Sequence, residues 1–275
     1  MNVDAATGGG FSPDVVFQAM RPSAAGPEPP PGSGAERVLS ARYCLIVTPM
    51  PTLNFVEPLD LPPSEATDAV AEVRALLRAR DRHQAAWFVD TSPPDLHEQL
   101  IAFGMTPYTD APLEPRSTCM ALTRRPTGTT SPEIVVRQAV DRDDFVAVGK
   151  MSATVFGVTG ADRDGLIEGM LARFELQKQG LTKMSTYLAL IDGELVGEAQ
   201  ALVMPSGINL SGSSVLPAAR GRGVYRALVS ARWDEAMERD LSALTVQAGA
   251  MSAPILQRLG FETVGTQLVL CDRFD

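Results

Sequence analysis

Two blocks of short apolar runs and amphipathic stretches, separated by a polar segment, run along this chain. In the first block Tyr43-Cys-Leu-Ile-Val-Thr48 is a continuous apolar run of strand length, and Leu53-Asn-Phe-Val56 reads as another strand after the Pro49–Pro51 turn. Ser64 is placed to cap a helix reaching about Arg80, because Val70, Val73, Leu76 and Leu77 fall on one helical face. Ala85-Ala-Trp-Phe-Val89 predicts a buried strand, Asp95 to Phe103 a short helix ending at Gly104-Met105, and Ser117 to Thr123 a closing strand. Ahead of all this, Phe11 to Met20 reads as one short helix docked on the first block.

The second block starts after Arg124 to Ser131, a linker by composition. Ile134-Val-Val-Arg137 is a strand, and Asp141-Arg-Asp-Asp144 opens a helix with carboxylates at its positive end. Val155 to Asp164 is expected as a loop, followed by a second helix to about Gln179. Thr186 to Ile191 and Leu195 to Val203 form a hairpin turned by Asp192-Gly193, and Ile208 to Leu216 is the next strand. A helix then carries Leu228, Val229, Trp233, Ala236 and Met237 on one face, which is core. Leu244 to Gly249 is a strand, Ser252 to Leu259 a short helix, and Gly260-Phe261 opens the last strands.

Between the Ile208–Leu216 strand and the helix behind it lies Pro217-Ala-Ala-Arg220-Gly221-Arg222-Gly223-Val224-Tyr225-Arg226. Pro217 stops the strand and Gly221 and Gly223 permit a tight bend into a helix starting near Gly223. Such a bend leaves main-chain N–H groups unpaired at the positive end of the helix dipole, beside the guanidinium groups of Arg220, Arg222 and Arg226. That is a site for a phosphate or diphosphate. The bland alternative is a solvated bend with no ligand.

Arg220-Gly221-Arg222-Gly223-Val224-Tyr225, entered from a strand and followed by the Leu244–Gly249 strand, the Ser252–Leu259 helix and Gly260-Phe261, resembles the signature of the GNAT family, the acyl-CoA-dependent N-acetyltransferases. The resemblance implies a GNAT fold, a mixed central sheet flanked by helices, over residues 133–275. The first block repeats the element order of the family's C-terminal half, and Phe103-Gly104-Met105 mirrors Leu259-Gly260-Phe261. It is read as a degenerate GNAT-like α/β unit over residues 37–125, after an arm at 1–36 that is flexible by composition, with 126–132 as linker. In place of the glycine-arginine bend it has Leu61-Pro62-Pro63-Ser64, so this unit is not expected to bind CoA.

As the resemblance has it, acetyl-CoA or another acyl-CoA rests its diphosphate on residues 220–226 and lays its pantetheine arm along Ser214, Val215 and Leu216 as an added strand. A main-chain N–H there stabilises the oxyanion, and the acyl group passes directly to the amine of a small molecule. The loop joining the first two helices of the second unit usually lines the acceptor site in this family.

Three positions depart from the family. Leu256 stands where many members have a tyrosine that protonates the leaving thiolate, Gly249 where an asparagine is usual, and Tyr225 at the loop's final small residue, where it also packs as core. The Ile208–Leu216 strand holds no carboxylate, and both His83 and His97 lie in the first unit. Glu198 is the best base by sequence, a strand-interior carboxylate between Gly197 and Ala199, with a solvent-facing strand residue as its alternative. Ser252 either orders a water or the pantetheine, or is an N-cap. Tyr187 and Glu175 are weaker candidates. With no acid at 256, a CoA-binding sensor or scaffold of little activity is the rival to the transferase.

Composition narrows the partners. The chain has 275 residues, 45% of them hydrophobic, without a run approaching the ~20 apolar residues of a membrane span or a secretory leader at Met1 to Gly10. A net charge of −9 argues against non-specific nucleic-acid binding and suits a cationic amine. Cys44, Cys119 and Cys271 are too scattered for a disulfide framework or a metal site and suggest a reducing cytoplasm. No metal is expected, and the protein is read as a monomer or a homodimer.

Overall fold

The computed structural model describes all residues except 1–11, 20, 22–25 and 110–112, and all their side chains except those of residues 14, 18, 19, 161 and 162. Of the arm expected to be flexible over 1–36, residues 1–11, 20 and 22–25 lie outside the described residues. The first unit comprises β1 (Glu36–Leu39), β2 (Tyr43–Val47), β3 (Phe55–Pro58), α2 (Ala66–Arg78), β4 (Gln84–Asp90), α3 (Asp95–Ala102), β5 (Thr106–Pro107) and β6 (Arg116–Leu122). It is preceded by α1 (Pro13–Ala19). The second comprises β7 (Ile134–Gln138), α4 (Arg142–Phe156), α5 (Gly160–Lys178), β8 (Met184–Ile191), β9 (Glu194–Met204), β10 (Gly207–Val215), α6 (Val224–Glu238), β11 (Leu244–Ala248), α7 (Ala253–Arg258) and β12 (Glu262–Arg273).

Local chemistry sets most of these boundaries. Asp141 caps α4 by accepting from Asp144 N–H at 2.9 Å. The carboxylate of Asp144 in turn takes both terminal nitrogens of Arg137 at 2.6 Å, tying β7 to α4. Asp192 and Gly193 both have positive φ, 52° and 82°, as the two central residues of a tight hairpin turn require.

Four expectations are corrected. Ser64 sits in a 3-10 turn, Pro63–Glu65, without a side-chain capping bond, and the α-helix begins at Ala66. The prolines at 62 and 63 favour the tighter turn. β3 begins at Phe55 and reaches Pro58, two residues later than Leu53–Val56. The Val155–Asp164 loop shrinks to three residues, because α4 runs to Phe156, where Gly157 is its C-cap, and α5 begins at Gly160. Met237 is 49% exposed, since it lies at the far edge of the buried stripe of α6.

The strands join in one mixed sheet of order β1-β2-β3-β4-β12-β6-β11-β10-β9-β8-β7, with β5 beside β12. The two units exchange their closing strands. β6 leaves the first unit and lies antiparallel to β11 from Leu244↔Leu122 to Ala248↔Thr118. β12 crosses the other way: its first half pairs with β6 and its second half with β4, from Gln267↔Asp90 to Arg273↔Gln84. The arrangement is a GNAT fold in tandem with a degenerate GNAT-like unit, closed by strands on loan from each other. One apolar core lies under α6 and α7 and includes Leu122 of the first unit; the other lies under α2 and α3 and includes Leu270 of the last strand. Helix α1 packs Phe17, 2% exposed, against Cys119 and Ala121 where the units meet.

Candidate functional site

The site is built where two parallel strands part. β10 and β11 pair only at Ile208↔Leu244 and Asn209↔Thr245, and the neck is stitched by Asn209 Nδ2 donating to Thr245 Oγ1 at 3.1 Å. Past the neck β10 bulges between Ser211 and Ser213 while its other edge stays paired with β9 up to Val215↔Gly197. The edge of β10 that faces the split has main-chain groups for an extended ligand.

At the end of β10 the chain makes a 3-10 turn, Pro217–Ala219, and enters the bend. Gly221 and Gly223 take φ of 78° and 90°, a region that L side chains avoid. The first α-helical bond of α6 runs from Ala227 N–H to Gly223 O at 3.0 Å, so the amides of Val224, Tyr225 and Arg226 form the open first turn. Arg220 and Arg222 are exposed beside them; Arg220 Nε donates to Val215 O at 3.3 Å, and Arg222 meets Glu133 at 3.2 Å. The third arginine does not join them. Arg226 turns to the segment between the units, donating to Thr129 O at 3.0 Å with its guanidinium against Gly128. Tyr225 packs partly buried against the core, which also holds Val215.

Glu198 is 3% exposed and not a solvent-facing strand residue. Its neighbour Gly197 faces Val224 of α6, so strand alternation turns Glu198 to the opposite face, under α4. There Oε1 accepts from Ser214 Oγ at 2.9 Å and from Ser152 Oγ of α4 at 3.4 Å, while Oε2 is enclosed without a hydrogen-bond partner. Burial pushes its carboxyl pKa up, opposed by the two serines and the charges of Arg232 and Arg173. Ser214 thus belongs to the surroundings of Glu198 as well as to the open strand.

The other candidates are dispersed. Ser252 makes no capping bond; its Oγ lies 3.3 Å from Gly249 O, beyond the end of β11. Leu256 is buried in the core and offers no proton. Tyr187 points to the α6 face, donating to Glu235 and accepting from Gln138 Nε2 at 3.1 Å. Glu175 pairs with Lys178 at the surface. A cavity of about 470 Å³ opens at the α4–α5 turn, lined by Thr154, Gly157, Val158, Thr159 and Arg163.

Sequence reading missed four charged side chains. Arg232 of α6 is fully buried, donating through Nε to Leu228 O at 3.0 Å and through Nη1 to Gln200 O at 3.1 Å. Arg173 of α5 lies on the inward stripe Met170, Arg173, Phe174, Gln177; its helical spacing was the available signal. Glu114, ahead of β6, reaches the end of β11. Arg21 enters the first unit's own split, where β3 and β4 pair only at Phe55↔Ala86 and Val56↔Trp87. Its guanidinium lies 3.2 Å from Glu57, donates to Pro58 O at 3.2 Å and pairs with Asp90, so that cleft is filled from within.

Among the described residues no group of His, Cys, Asp or Glu could hold a metal ion, and no helix is long and apolar enough to cross a membrane. Cys44, Cys119 and Cys271 are buried and form no disulfide among the described residues.

A glycine-arginine bend at a helix N-terminus, set at the end of a strand that parts from its parallel neighbour, is the arrangement of the GNAT fold. Residues 162–261 match the family model "Acetyltransferase (GNAT) family". The structure is similar over 98% of both chains to a GCN5-related N-acetyltransferase from Kribbella flavida, with a TM-score of 0.69 and 14% identity. It is also similar to a tandem GNAT protein from the clavulanic acid biosynthesis pathway, over 94% of this chain and 87% of that one, with a TM-score of 0.62 and 17% identity. No curated protein matches the sequence. The reaction class that the family implies is acyl transfer from an acyl-CoA.

Proposed function

We propose that the protein transfers an acetyl or other acyl group from acyl-CoA to the amine of a small molecule by direct attack. The observation that carries this reading is the conjunction, on one strand, of an open pairing edge, an arginine-flanked anion bend at its end and a buried carboxylate at Ser214. The residues present suit the cosubstrate: Arg220, Arg222 and the first-turn amides of α6 would hold the diphosphate, and Ser214, Val215 and Leu216 the pantetheine arm. When bound, that cosubstrate supplies a thioester as the acyl donor.

In this reading Glu198 takes the proton of the acceptor amine, directly or through one water, as nitrogen bonds to the thioester carbon. The carbon–sulfur bond then breaks. A proton from solvent completes the thiol, since residue 256 has no donor, and a main-chain N–H at the split polarises the carbonyl. Ser252 holds a water or the pantetheine from the far side of the cleft. The first unit, 37–125 with its linker at 126–132, serves as a buttress that contributes β6 to the second unit, 133–275. The enclosed thiols suit a reducing cytoplasm, and the chain acts as a monomer or a homodimer.

The test is acetyl-CoA binding by calorimetry to the wild type and to Arg220→Ala/Arg222→Ala, with thiol release followed against a panel of amines. Binding that is lost in the double variant, with thiol released for some amine, is the expected result. Leu256 favours a second reading, a CoA-binding sensor; tight binding with no turnover on any amine would select it. Absence of binding overturns both.

A further inference from the structure

Arg173 and Glu198 are opposite charges brought near each other, since α5 packs through Met170 and Phe174 on Leu188, the cross-strand neighbour of Glu198, and the two do not meet. Arg173 stands on the inner stripe of α5 between Met170 and Phe174, which pack with Phe145, Val148 and Leu188, and Gln177, which donates to Ala139 O at 3.0 Å. The Arg173 side chain is therefore aimed toward the sheet from a half-buried position. Its Nη1 is fully enclosed without a hydrogen-bond partner, and among the described residues it makes no ion pair. Glu198, across the gap on β9, also has an enclosed oxygen without a partner, Oε2. The two feel each other's charge, yet no N···O distance between them falls within the 4.0 Å of a salt bridge.

An enclosed guanidinium nitrogen without a partner is costly, and the group cannot escape by losing its proton. A simple amine at Glu198 would leave Arg173 unmatched, and a simple carboxylate at Arg173 would leave Glu198 unmatched. One molecule bearing both groups a few bonds apart satisfies both. Arg232 does not compete for it: its charge reaches Glu198 from the other face of the sheet, and its Nε and Nη1 are already bonded within the protein.

We propose that the acceptor is an amino acid or a close relative, with its amine nitrogen on Glu198 and its carboxylate on Arg173. The proposal rests on the reading of Glu198 as the base. Arg173 is then the specificity-determining residue, distinct from the proton-accepting one. The bidentate fork of arginine fits a carboxylate in a way that the point charge of lysine does not.

The experiment pairs each of the twenty amino acids with its decarboxylated amine as acceptors, following thiol release from acetyl-CoA with the full chain. For the accepted skeleton, the amino acid is expected to have a KM at least ~10-fold below that of its amine. Arg173→Ala should cost the amino acid ~10- to 100-fold more in kcat/KM than it costs the amine, with Arg173→Lys intermediate. Equal use of amine and amino acid, or an equal loss on both in Arg173→Ala, overturns the proposal. If Arg173→Ala fails to fold, Arg173→Gln carries the same comparison. If acetyl-CoA binds and no acceptor releases thiol, the transferase reading fails alone. Calorimetric titration of the CoA-loaded protein with the same amino acids then decides the site: heat lost in Arg173→Ala sustains it, and no heat with any of them overturns it.

Discussion

The carboxylate of Glu114 occupies the place where a side chain at Gly249 would begin. A Cβ at residue 249 would stand 2.3 Å from Glu114 Oε1, while Oε2 accepts from Ala250 N–H at 2.9 Å. Position 249, where the family usually has an asparagine, is small because the first unit sends a carboxylate there. Restoring the asparagine should therefore displace Glu114. Gly249→Asn is expected to swing this exposed, flexible carboxylate into solvent at a cost within about 0.5 kcal/mol, read as a slightly lower urea midpoint. Glu114→Ala in the same chain should recover part of it. Strict additivity of the two changes would show that they do not share the space.

Arg21 is the second long-range contributor. Its removal takes the Arg21 cation from beside Glu57, which is 2% exposed. Arg21→Met is expected to destabilise by about 3–5 kcal/mol in chemical denaturation. Glu57→Gln should cost less, because it removes the buried carboxylate charge while Arg21 keeps its pairing with Asp90 and its bond to Pro58 O. Near-wild-type stability of Arg21→Met would mean that the first unit's cleft tolerates an empty split.

Glu198 gives the protein an unusual pH signature. Its folded pKa is raised above the ordinary 4.5, mainly by burial, so between the two values the folded state holds more protons than the unfolded chain. Its contribution is therefore fully present below 4.5 and lost as pH rises toward the folded pKa. Glu198→Gln should be more stable than wild type at neutral pH and show a flatter stability profile above pH ~5. Activity should move oppositely, rising with pH through the same raised pKa and vanishing in Glu198→Gln. Asp144 has the reverse sign: Arg137 holds its carboxyl below the ordinary 3.8, so its stabilisation is present above that value and lost on acidification.

The exchanged strands make the units interdependent. Arg74 grips Asp272 at 3.0 and 2.6 Å, fastening β12 to α2 of the first unit. Calorimetry should show one cooperative transition. Deleting residues 268–275 should abolish folding of both units, since β4 then loses its β12 neighbour. Two resolved transitions in the intact chain would contradict this coupling.

What neighbouring residues dictate was legible in the chain itself. The Asp192-Gly193 hairpin, the Asp141 cap and the Gly221–Gly223 bend follow from backbone dihedrals and from side chains within four residues. Hydrophobic periodicity supplied the strands and the family resemblance supplied the tandem fold. The open edge of β10 with its arginine bend was likewise foreseeable, because strand, bend and helix are consecutive.

The tertiary structure decided which charges matter. Glu198 has apolar neighbours on both sides in sequence, and alternation leaves either face open until α4 covers one of them. Arg173 and Arg232 look like solvated charges on helices until packing turns them inward. Arg226 belonged by spacing to the anion bend, yet the linker takes it. Glu114 reaches Ala250 across 136 residues and Arg21 reaches Asp90 across 69. Strand exchange between β6 and β12 left no mark in the sequence, because a β-strand carries the same alternation whichever neighbour it pairs with. Dihedral preferences act between adjacent residues, whereas burial and charge pairing exist only once distant segments share a space.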